Sequence, residues 1–210
     1  MRRGPQPWGE GFPYDVPAVA ALEELSLDAP ITLLAGDNGS GKSTIVEAIA
    51  AAMGFAAEGG ELERSGELPA VPRPVLGDTL SPVLSSTKPH SGYFLRAESF
   101  FNIASFVDGQ STFAPDLSLY GDVPLHAQSH GQSFLALAAN RFGGESLYIL
   151  DEPEAALSVS GALACPQARI YELDENGLAP CEYDDLDAVR FTRGFLAAPE
   201  RYLRAALEDG

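Results

Sequence analysis

Apolar and polar positions follow two patterns along the chain, and each pattern predicts one kind of element. Five short segments have the apolar or aromatic composition of strands, and they are 31–35, 92–96, 99–106, 147–150 and 168–173. The segments 31–35 and 147–150 are apolar enough to predict buried strands. Residues 43–53 differ, because their apolar positions recur at helical spacing on one face, and Gly54 follows as a terminator. The chain therefore predicts a strand, a turn and a helix in succession.

The rest of the chain adds further helices and a less regular region. Residues 132–142 and 184–208 have helical patterns, the second with a break near Pro199, and 16–25 contains a short helical patch. Residues 57–125 are rich in Gly, Pro and Ser outside the strand-like segments 92–96 and 99–106, which predicts a peripheral lobe and loops. Strands that alternate with helices indicate an α/β fold with a mainly parallel sheet flanked by helices.

Composition and charge narrow the range of partners. The 210 residues have 45% hydrophobic content and a net charge of −17, from 30 acidic and 13 basic residues. The chain therefore predicts one globular domain over residues 1–210, and its negative field disfavours broad binding to nucleic acid. Cys165 and Cys181 do not form a C-x-x-C pair, so we expect two free thiols. No apolar run is long enough to cross a membrane, and these features together predict a cytoplasmic protein.

The residues directly after the first strand carry the clearest chemistry. They match the pattern G-x-x-x-x-G-K-[ST], and they are Gly36, Asp37, Asn38, Gly39, Ser40, Gly41, Lys42, Ser43 and Thr44. The glycines let backbone N–H groups turn towards a phosphate, and the helix that follows adds the positive end of its dipole. We expect Lys42 to contact the β- and γ-phosphates in a catalytic role, and Ser43 to bind Mg²⁺ through its hydroxyl. A chance match in a Gly-rich chain is the alternative, and the flanking strand and helix favour an ATP site over it.

The strand at 147–150 ends in two adjacent carboxylates, Asp151 and Glu152, followed by Pro153. Successive residues of a strand point to opposite sides, so the two carboxylates can have different tasks. We expect Asp151 to reach Mg²⁺, directly or through water, and Glu152 to polarise the water that attacks the γ-phosphate. An acidic turn after a core strand is the alternative, and the phosphate loop upstream favours the catalytic interpretation.

A third motif precedes the helix predicted at 132–142. Ser129, His130 and Gly131 combine a hydroxyl and a glycine with the N-terminus of a helix, which makes a second candidate site for an anion. We expect Ser129 and Gly131 to contact ATP. A plain helix start, capped by Ser129 or a neighbour, is the alternative.

Taken in order, these motifs resemble those of the small bacterial AAA-family ATPases, whose core is ABC-like. The resemblance rests on six blocks of sequence, which are 36–44, 94–102, 128–131, 150–158, 193–196 and 199–203. It implies a P-loop NTPase fold, ATP and Mg²⁺ as ligands, and head-to-tail homodimers that sandwich ATP. In that arrangement the loop at 128–131 closes over the γ-phosphate of the partner subunit, and 154–157 touches the partner.

The resemblance also bears on two further contacts with the nucleotide. An aromatic residue ahead of the phosphate loop stacks on adenine in ABC proteins, and Phe12 or Tyr14 has that place, with a core or edge aromatic as an equal alternative. ABC proteins have a Gln that senses the γ-phosphate where 94–102 contains none. Three residues there are substitutes, and they are Glu98, Ser99 and Asn102. A structural turn is the stronger alternative.

One departure from the family pattern concerns hydrolysis. In the family, the loop corresponding to 154–157 is followed by a helix and then by a strand that ends in a histidine, which contacts the γ-phosphate. Here 12 residues separate Leu157 from Ile170, too few for both elements, and no histidine follows His130. We therefore expect a sheet that is one strand short and a site without this histidine.

Three functions stay open at this point. ATP hydrolysis that drives a dimer switch needs Lys42, Ser43, Asp151 and Glu152, and all four are present. An ATP-binding interaction module, or a degenerate copy with little hydrolysis, is favoured by the missing histidine, because positioning of the γ-phosphate supplies much of the rate. A DNA-repair-associated ATPase is disfavoured by the negative charge and by the lack of sustained heptads between Lys42 and Ser129. We also expect a protein partner that the motifs do not identify.

Overall fold

The computed structural model describes residues 1–5, 7–57, 59–62, 75–84, 89–96, 146–153 and 168–208. In chain order their elements are β1 (Arg2–Arg3), α1 (Pro17–Ala20), β2 (Thr32–Gly36), α2 (Lys42–Met53), β3 (Gly60–Glu61), α3 (Val75–Thr79), β4 (Leu80–Ser81), β5 (Gly92–Arg96), β6 (Leu147–Asp151), β7 (Arg169–Asp174), β8 (Gly177–Cys181), α4 (Asp187–Ala197) and α5 (Pro199–Glu208). A 3-10 turn at Tyr183–Asp185 precedes α4.

The chain divides into two compact units. One contains Gly9–Lys42 and Pro166–Gly210, and we call it the loop unit because the phosphate loop begins there. The other contains Met1–Trp8 and Ser43–Cys165, and we call it the acidic-strand unit because it holds β6.

The sheet of the loop unit has the strand order β2-β7-β8. β2 and β7 are parallel, with Thr32 opposite Arg169 and Gly36 opposite Leu173. β7 and β8 form an antiparallel hairpin whose two-residue turn, 175–176, lies between the paired residues Asp174 and Gly177. The Asp174 carboxylate accepts a hydrogen bond from the Asn176 backbone N–H at 2.7 Å, which stabilises this turn.

Gly177 is required where the hairpin approaches α1. Its φ is +126°, and a Cβ built on it would lie 2.8 Å from the Cβ of Ala21. Buried side chains from α1, the segment after it, β7 and the residue just before α4 fill the adjoining core, and they are Val19, Leu22, Leu25, Leu173 and Leu186. Burial of these aliphatic groups holds α1 and the sheet together.

The sheet of the acidic-strand unit has the order β3-β5-β6, with β5 in the middle. β5 is parallel to β6 and antiparallel to β3. Phe94 of β5 is fully buried and meets Phe55 edge to face, with ring centroids 6.3 Å apart. A Cβ on Gly77 would lie 2.6 Å from the Cβ of Ala51, so α3 packs closely against α2.

α2 ends by a hydrogen-bond pattern that a glycine makes possible. Gly54 has a φ of +99°, its N–H donates to Ala51 O at 3.1 Å, and the Phe55 N–H donates to Ala50 O at 3.0 Å. This is the pairing of a Schellman motif. The prediction that Gly54 terminates the helix is confirmed.

The C-terminal helices pair through aromatic rings. Tyr202 of α5 meets Phe191 and Phe195 of α4 edge to face, with ring centroids 5.5 and 6.0 Å away. Gly194 is in close contact with the Tyr202 ring, where a larger residue would clash. The predicted break is confirmed, because α4 ends at Ala197 and α5 begins at Pro199.

Several predicted elements are confirmed, and two expectations are wrong. The strands predicted at 31–35, 92–96, 147–150 and 168–173 all form, each within one residue of its predicted bounds. The described strands form mixed sheets that are not mainly parallel, since three of their five pairings are antiparallel. The hairpin of β7 and β8 shows the reason, because a two-residue turn can only join antiparallel neighbours.

The second wrong expectation is that β2 and β6 are buried strands. All five residues of β6 are half-buried, β2 has no buried residue, and Ile31 before it is 42% exposed. Among the described strands β2 pairs only with β7, and β6 only with β5, so each has one described neighbour. The helical patch at 16–25 forms a single turn, Pro17–Ala20. The strand-like segment at 99–106 and the helix predicted at 132–142 lie outside the described residues.

Candidate nucleotide-binding site

The loop between β2 and α2 adopts backbone angles that only glycine takes without strain. Gly36, Gly39 and Gly41 have φ values of +146°, +84° and +98°. Alternation of left-handed and right-handed backbone turns successive N–H groups to one side, which forms a concave site for an anion. The residues 36–39 are exposed, so this concave face is accessible to a ligand.

Two of these glycines also avoid close contacts with neighbouring chain. A Cβ on Gly36 would clash with the carbonyl oxygen of Leu173 in β7. A Cβ on Gly41 would lie 2.7 Å from Cγ1 of Val16, just before α1. The loop is therefore held between the β7 backbone and the segment that leads into α1.

Lys42, the first residue of α2, folds its side chain back over the loop. Its Nζ donates hydrogen bonds to Gly36 O and Asp37 O, both at 2.7 Å. An ammonium group has three donors, so two hold the loop closed and the third is directed elsewhere. The side chain thus spans the loop from its helical end to its strand end.

Ser40 supplies a polar group that has no hydrogen-bond partner among the described residues. Within the described part of the chain its Oγ is buried and makes no hydrogen bond. It lies 2.9 Å from the position that a Cβ on Gly36 would occupy, inside the curve of the loop. Buried hydroxyls are satisfied in nearly all proteins, so an unsatisfied one inside a phosphate loop fits a phosphate group.

The acidic residues stand at the carboxyl end of β6 in the other unit. The Asp151 side chain is 10% exposed, and its Oδ2 lies 3.8 Å from Nε of Arg96 in β5. Glu152 is exposed and has a φ of +53°, which is strained for a residue with a Cβ and more so before Pro153. Such strain is a frequent property of functional residues.

The two aromatic candidates for an adenine contact have opposite environments. Tyr14 is 9% exposed and packs against Gly9, whereas Phe12 is 77% exposed. Both lie in a turn in which the Tyr14 N–H donates to Gly11 O at 2.7 Å. The turn leads directly to Val16, which contacts the loop at Gly41, and Phe12 is the aromatic with a free ring face.

Several predicted site residues lie outside the described residues. They are Ser129, His130 and Gly131 of the second anion site, Glu98, Ser99 and Asn102, and the loop at 154–157. Ser43 and Thr44 lie in the first turn of α2, as predicted. No cluster of three or more metal-binding side chains occurs in the part of the chain that the structure describes, and none of its helices is long and apolar enough to cross a membrane.

Two residues near the carboxyl end of β6, Arg96 and Glu47, were not predicted from the sequence to contact each other. Arg96 donates from Nη2 to Oε1 of Glu47 in α2 at 2.6 Å, in addition to its contact with Asp151. In the sequence, Arg96 is only a charged residue at the end of the strand predicted at 92–96, and Glu47 is only a charged residue within the helix predicted at 43–53. Their proximity depends on tertiary packing.

Comparison with known proteins agrees with the geometry of the loop. A protein-family model described as an AAA domain matches residues 20–70, which include β2, the phosphate loop and all of α2. No curated protein and no solved structure matches the chain. Residues 20–70 are therefore similar to an AAA domain.

Proposed function

We propose that this protein is a Mg²⁺-dependent ATPase with a single ABC-like domain over residues 1–210. The observation that carries the proposal is the loop after β2, where three glycines of positive φ and the Lys42 ammonium surround a concave site. The match of 20–70 to an AAA domain supports the same conclusion.

The loop residues bind the phosphates of ATP in this proposal. Backbone N–H groups of 37–41 and the N-terminus of α2 donate to the phosphate oxygens, and Ser40 Oγ gains the partner that it lacks among the described residues. Lys42 directs its remaining N–H towards the β- and γ-phosphates while two others keep the loop closed. Ser43 and Thr44 add hydroxyls from the first turn of α2.

In this proposal Mg²⁺ and the attacking water are held by different residues. The Ser43 hydroxyl and the Asp151 carboxylate are oxygen donors of the kind that Mg²⁺ prefers, and they would hold it together with the phosphates. Bound there, Mg²⁺ supplies charge neutralisation to the phosphate oxygens. Glu152 orients a water molecule and accepts its proton as that water attacks the γ-phosphate. Its exposed side chain is accessible to that water.

Phe12 stacks on the adenine ring. Its ring is exposed, and it precedes Val16, the residue against Gly41 of the loop. Tyr14 instead has a structural role, because its ring is buried against Gly9. An aromatic face stacks on any purine, so this contact sets affinity more than it sets the choice of base.

The active form is a head-to-tail homodimer that closes on ATP. Ser129 and Gly131 of one subunit contact the γ-phosphate held by the other, and 154–157 forms part of the interface. This step rests on the resemblance of those motifs to ABC-like ATPases. Hydrolysis then opens the dimer and passes the change to a protein partner.

A second candidate is an ATP-gated module that binds without appreciable turnover. The observation that favours it is the absence from the sequence of any histidine after His130. Such a protein still closes on Mg²⁺·ATP but reopens by release of ATP.

Binding and turnover of Mg²⁺·ATP by the wild type, Lys42→Ala and Glu152→Gln separate these functions. If the protein is an ATPase, the wild type binds Mg²⁺·ATP and Lys42→Ala abolishes this binding. The Glu152→Gln variant still binds Mg²⁺·ATP, but its turnover is at least about 100-fold lower than that of the wild type. Arg190→Ala is the matched control, since it removes one positive charge from an exposed position of α4. Binding without turnover in the wild type identifies the module. Absence of binding in the wild type refutes both.

A further inference from the structure

Arg96 lies at the end of β5 and contacts three different parts of the acidic-strand unit. Its Nη2 is 2.6 Å from Oε1 of Glu47 in α2, and its Nη1 donates to Ala57 O at 3.1 Å. Its Nε is 3.8 Å from Oδ2 of Asp151 at the end of β6. The side chains of Arg96, Glu47 and Asp151 are 21%, 28% and 10% exposed, so solvent screens these charges only in part.

Backbone register brings Arg96 and Asp151 together. The two are direct partners in the parallel ladder of β5 and β6. Paired residues of neighbouring strands project from the same face of a sheet, about 5 Å apart. The sheet therefore places the Arg96 and Asp151 side chains next to each other.

The two carboxylates share the guanidinium unequally. Glu47 has the short charged hydrogen bond, and Asp151 has the longer contact. A planar guanidinium with several donors can hold such an arrangement, whereas a lysine offers one point charge. Of the two carboxylates, Glu47 therefore supplies the closer counter-charge, and Asp151 lies beside the same guanidinium at the longer distance.

We propose that Arg96 is a positioning residue for Asp151. It holds the Asp151 carboxylate in place for Mg²⁺ and connects that carboxylate through Glu47 to α2, the helix that begins at Lys42. Arg96 itself does not contact nucleotide or metal. When Asp151 binds Mg²⁺, Arg96 keeps Glu47 as its counter-charge and need not move. This inference rests on the proposed function, because it takes Asp151 as a metal ligand.

The sign of the effect distinguishes positioning from simple electrostatics. Removal of a positive charge beside a cation site strengthens metal binding by charge alone. Removal of a group that orients a metal ligand weakens metal binding, typically by 10-fold to 100-fold. If Arg96 only stabilises the fold, its removal leaves the affinity for the metal unchanged.

The test titrates Mn²⁺ by electron paramagnetic resonance into the full chain saturated with a non-hydrolysable ATP analogue. Arg96→Gln is expected to raise the Kd for Mn²⁺ by about 10-fold and to leave analogue binding in EDTA unchanged. Arg96→Lys is also expected to bind Mn²⁺ more weakly than the wild type does, because a lysine offers one point charge in place of the planar guanidinium. Glu47→Gln also weakens Mn²⁺ binding, because the freed guanidinium moves onto Asp151. The double variant Arg96→Gln/Glu47→Gln is expected to bind Mn²⁺ as tightly as Arg96→Gln alone, since Glu47 acts through Arg96.

Arg169→Gln is the matched control, because it breaks an ion pair with Asp28 in the loop unit, at 2.5 Å, and is expected to leave the Mn²⁺ titration unchanged. If Arg96→Gln alone fails to fold by circular dichroism, the double variant, which loses one charge of each sign, gives the same measurement. Unchanged or tighter Mn²⁺ binding in the Arg96 variants, together with weaker binding in Asp151→Asn, overturns the positioning role and leaves the proposed function intact. Absence of nucleotide-dependent Mn²⁺ binding in the wild type refutes the proposed function itself.

Discussion

Gly36 lies against the carbonyl oxygen of Leu173, its direct partner in the ladder of β2 and β7. The first residue of the phosphate loop is thus also the last paired residue of the strand. Its φ of +146° lets the chain leave the sheet at this point, and the absence of a Cβ lets it pass the β7 backbone. One glycine therefore serves both the sheet and the loop.

Gly36→Ala is expected to lower the free energy of unfolding by about 3 kcal/mol, from unfavourable φ and from the clash with Leu173 O. Gly39→Ala is the control within the same loop, because Gly39 has a φ of +84° but no atom within 4 Å of an added Cβ. It should lose only about 1 kcal/mol. Urea denaturation without nucleotide measures both. Equal losses would mean that the contact with β7 is unimportant.

Glu152→Gly tests whether the proposed catalytic carboxylate is held in a strained backbone. The φ of +53° suits glycine, so relief of strain offsets the added flexibility of the unfolded chain. The control is Glu182→Gly, because Glu182 has a φ of −80°. At this position glycine relieves no strain and only lowers stability, since it makes the unfolded chain more flexible. We expect the Glu152 variant to be more stable than the control by about 1 to 3 kcal/mol in thermal unfolding, and to lack turnover. A control as stable as the Glu152 variant would rule out the strain.

The turn between β7 and β8 is expected to weaken in acid. Hydrogen bonds from the Asn176 side chain and backbone N–H lower the pKa of Asp174 below its ordinary value. A carboxyl whose pKa is lower in the folded state stabilises the fold above its unfolded pKa of about 4, and that contribution is lost as pH falls further.

Asp174→Asn should therefore lower the urea midpoint at pH 7 and have a smaller effect near pH 3. Glu175→Gln, in the same turn, is the control, because its side chain makes no hydrogen bond to Asn176 among those described. A difference between Asp174→Asn and wild type that is independent of pH would contradict the role of the ionised carboxylate.

Cys181 is expected to react slowly with thiol reagents. Burial is the main cause that raises the pKa of its thiol, and the nearby negative charge of Glu172 adds to it. Glu172→Gln removes this charge and keeps an oxygen that can accept from the Asp187 backbone N–H, now donated to Glu172 Oε1 at 2.8 Å. In a Cys165→Ser background the Glu172 variant should react faster with a maleimide at pH 7.5, with a lower pKa in its pH–rate profile. An unchanged profile would remove Glu172 as a cause.

Local sequence chemistry was sufficient for much of the fold. Gly54 after a helical pattern predicted the end of α2, and the composition of 92–96 predicted β5 with its bounds. The strand β8 was missed, although Gly177 gave a turn signal, because its residues 177–181 include Pro180 and few strand-forming side chains. β8 forms because β7 offers it a hairpin partner, which depends on tertiary structure.

The candidate site likewise has one part that the sequence predicts and another part that depends on tertiary packing. The phosphate loop follows from a motif whose glycines determine the backbone angles, so its conformation was predictable. The contacts of Lys42 with Gly36 O and Asp37 O, and of Arg96 with Glu47, depend on side-chain packing in three dimensions. Likewise, the exposure of Phe12 against the burial of Tyr14 separates two residues that the sequence left equal.

The pairing of β2 with β7 has a consequence for biosynthesis. Thr32 and Gly36 have their ladder partners at Arg169 and Leu173, so the strand that supports the phosphate loop pairs with residues synthesised much later. A nascent chain that still lacks β7 therefore presents the loop motif without the backbone against which Gly36 packs. Translation proceeds at about 5 to 20 residues per second, so several seconds separate the synthesis of β2 from that of β7. The pairing of Gly36 with Leu173 can therefore form only after most of this polypeptide has been synthesised.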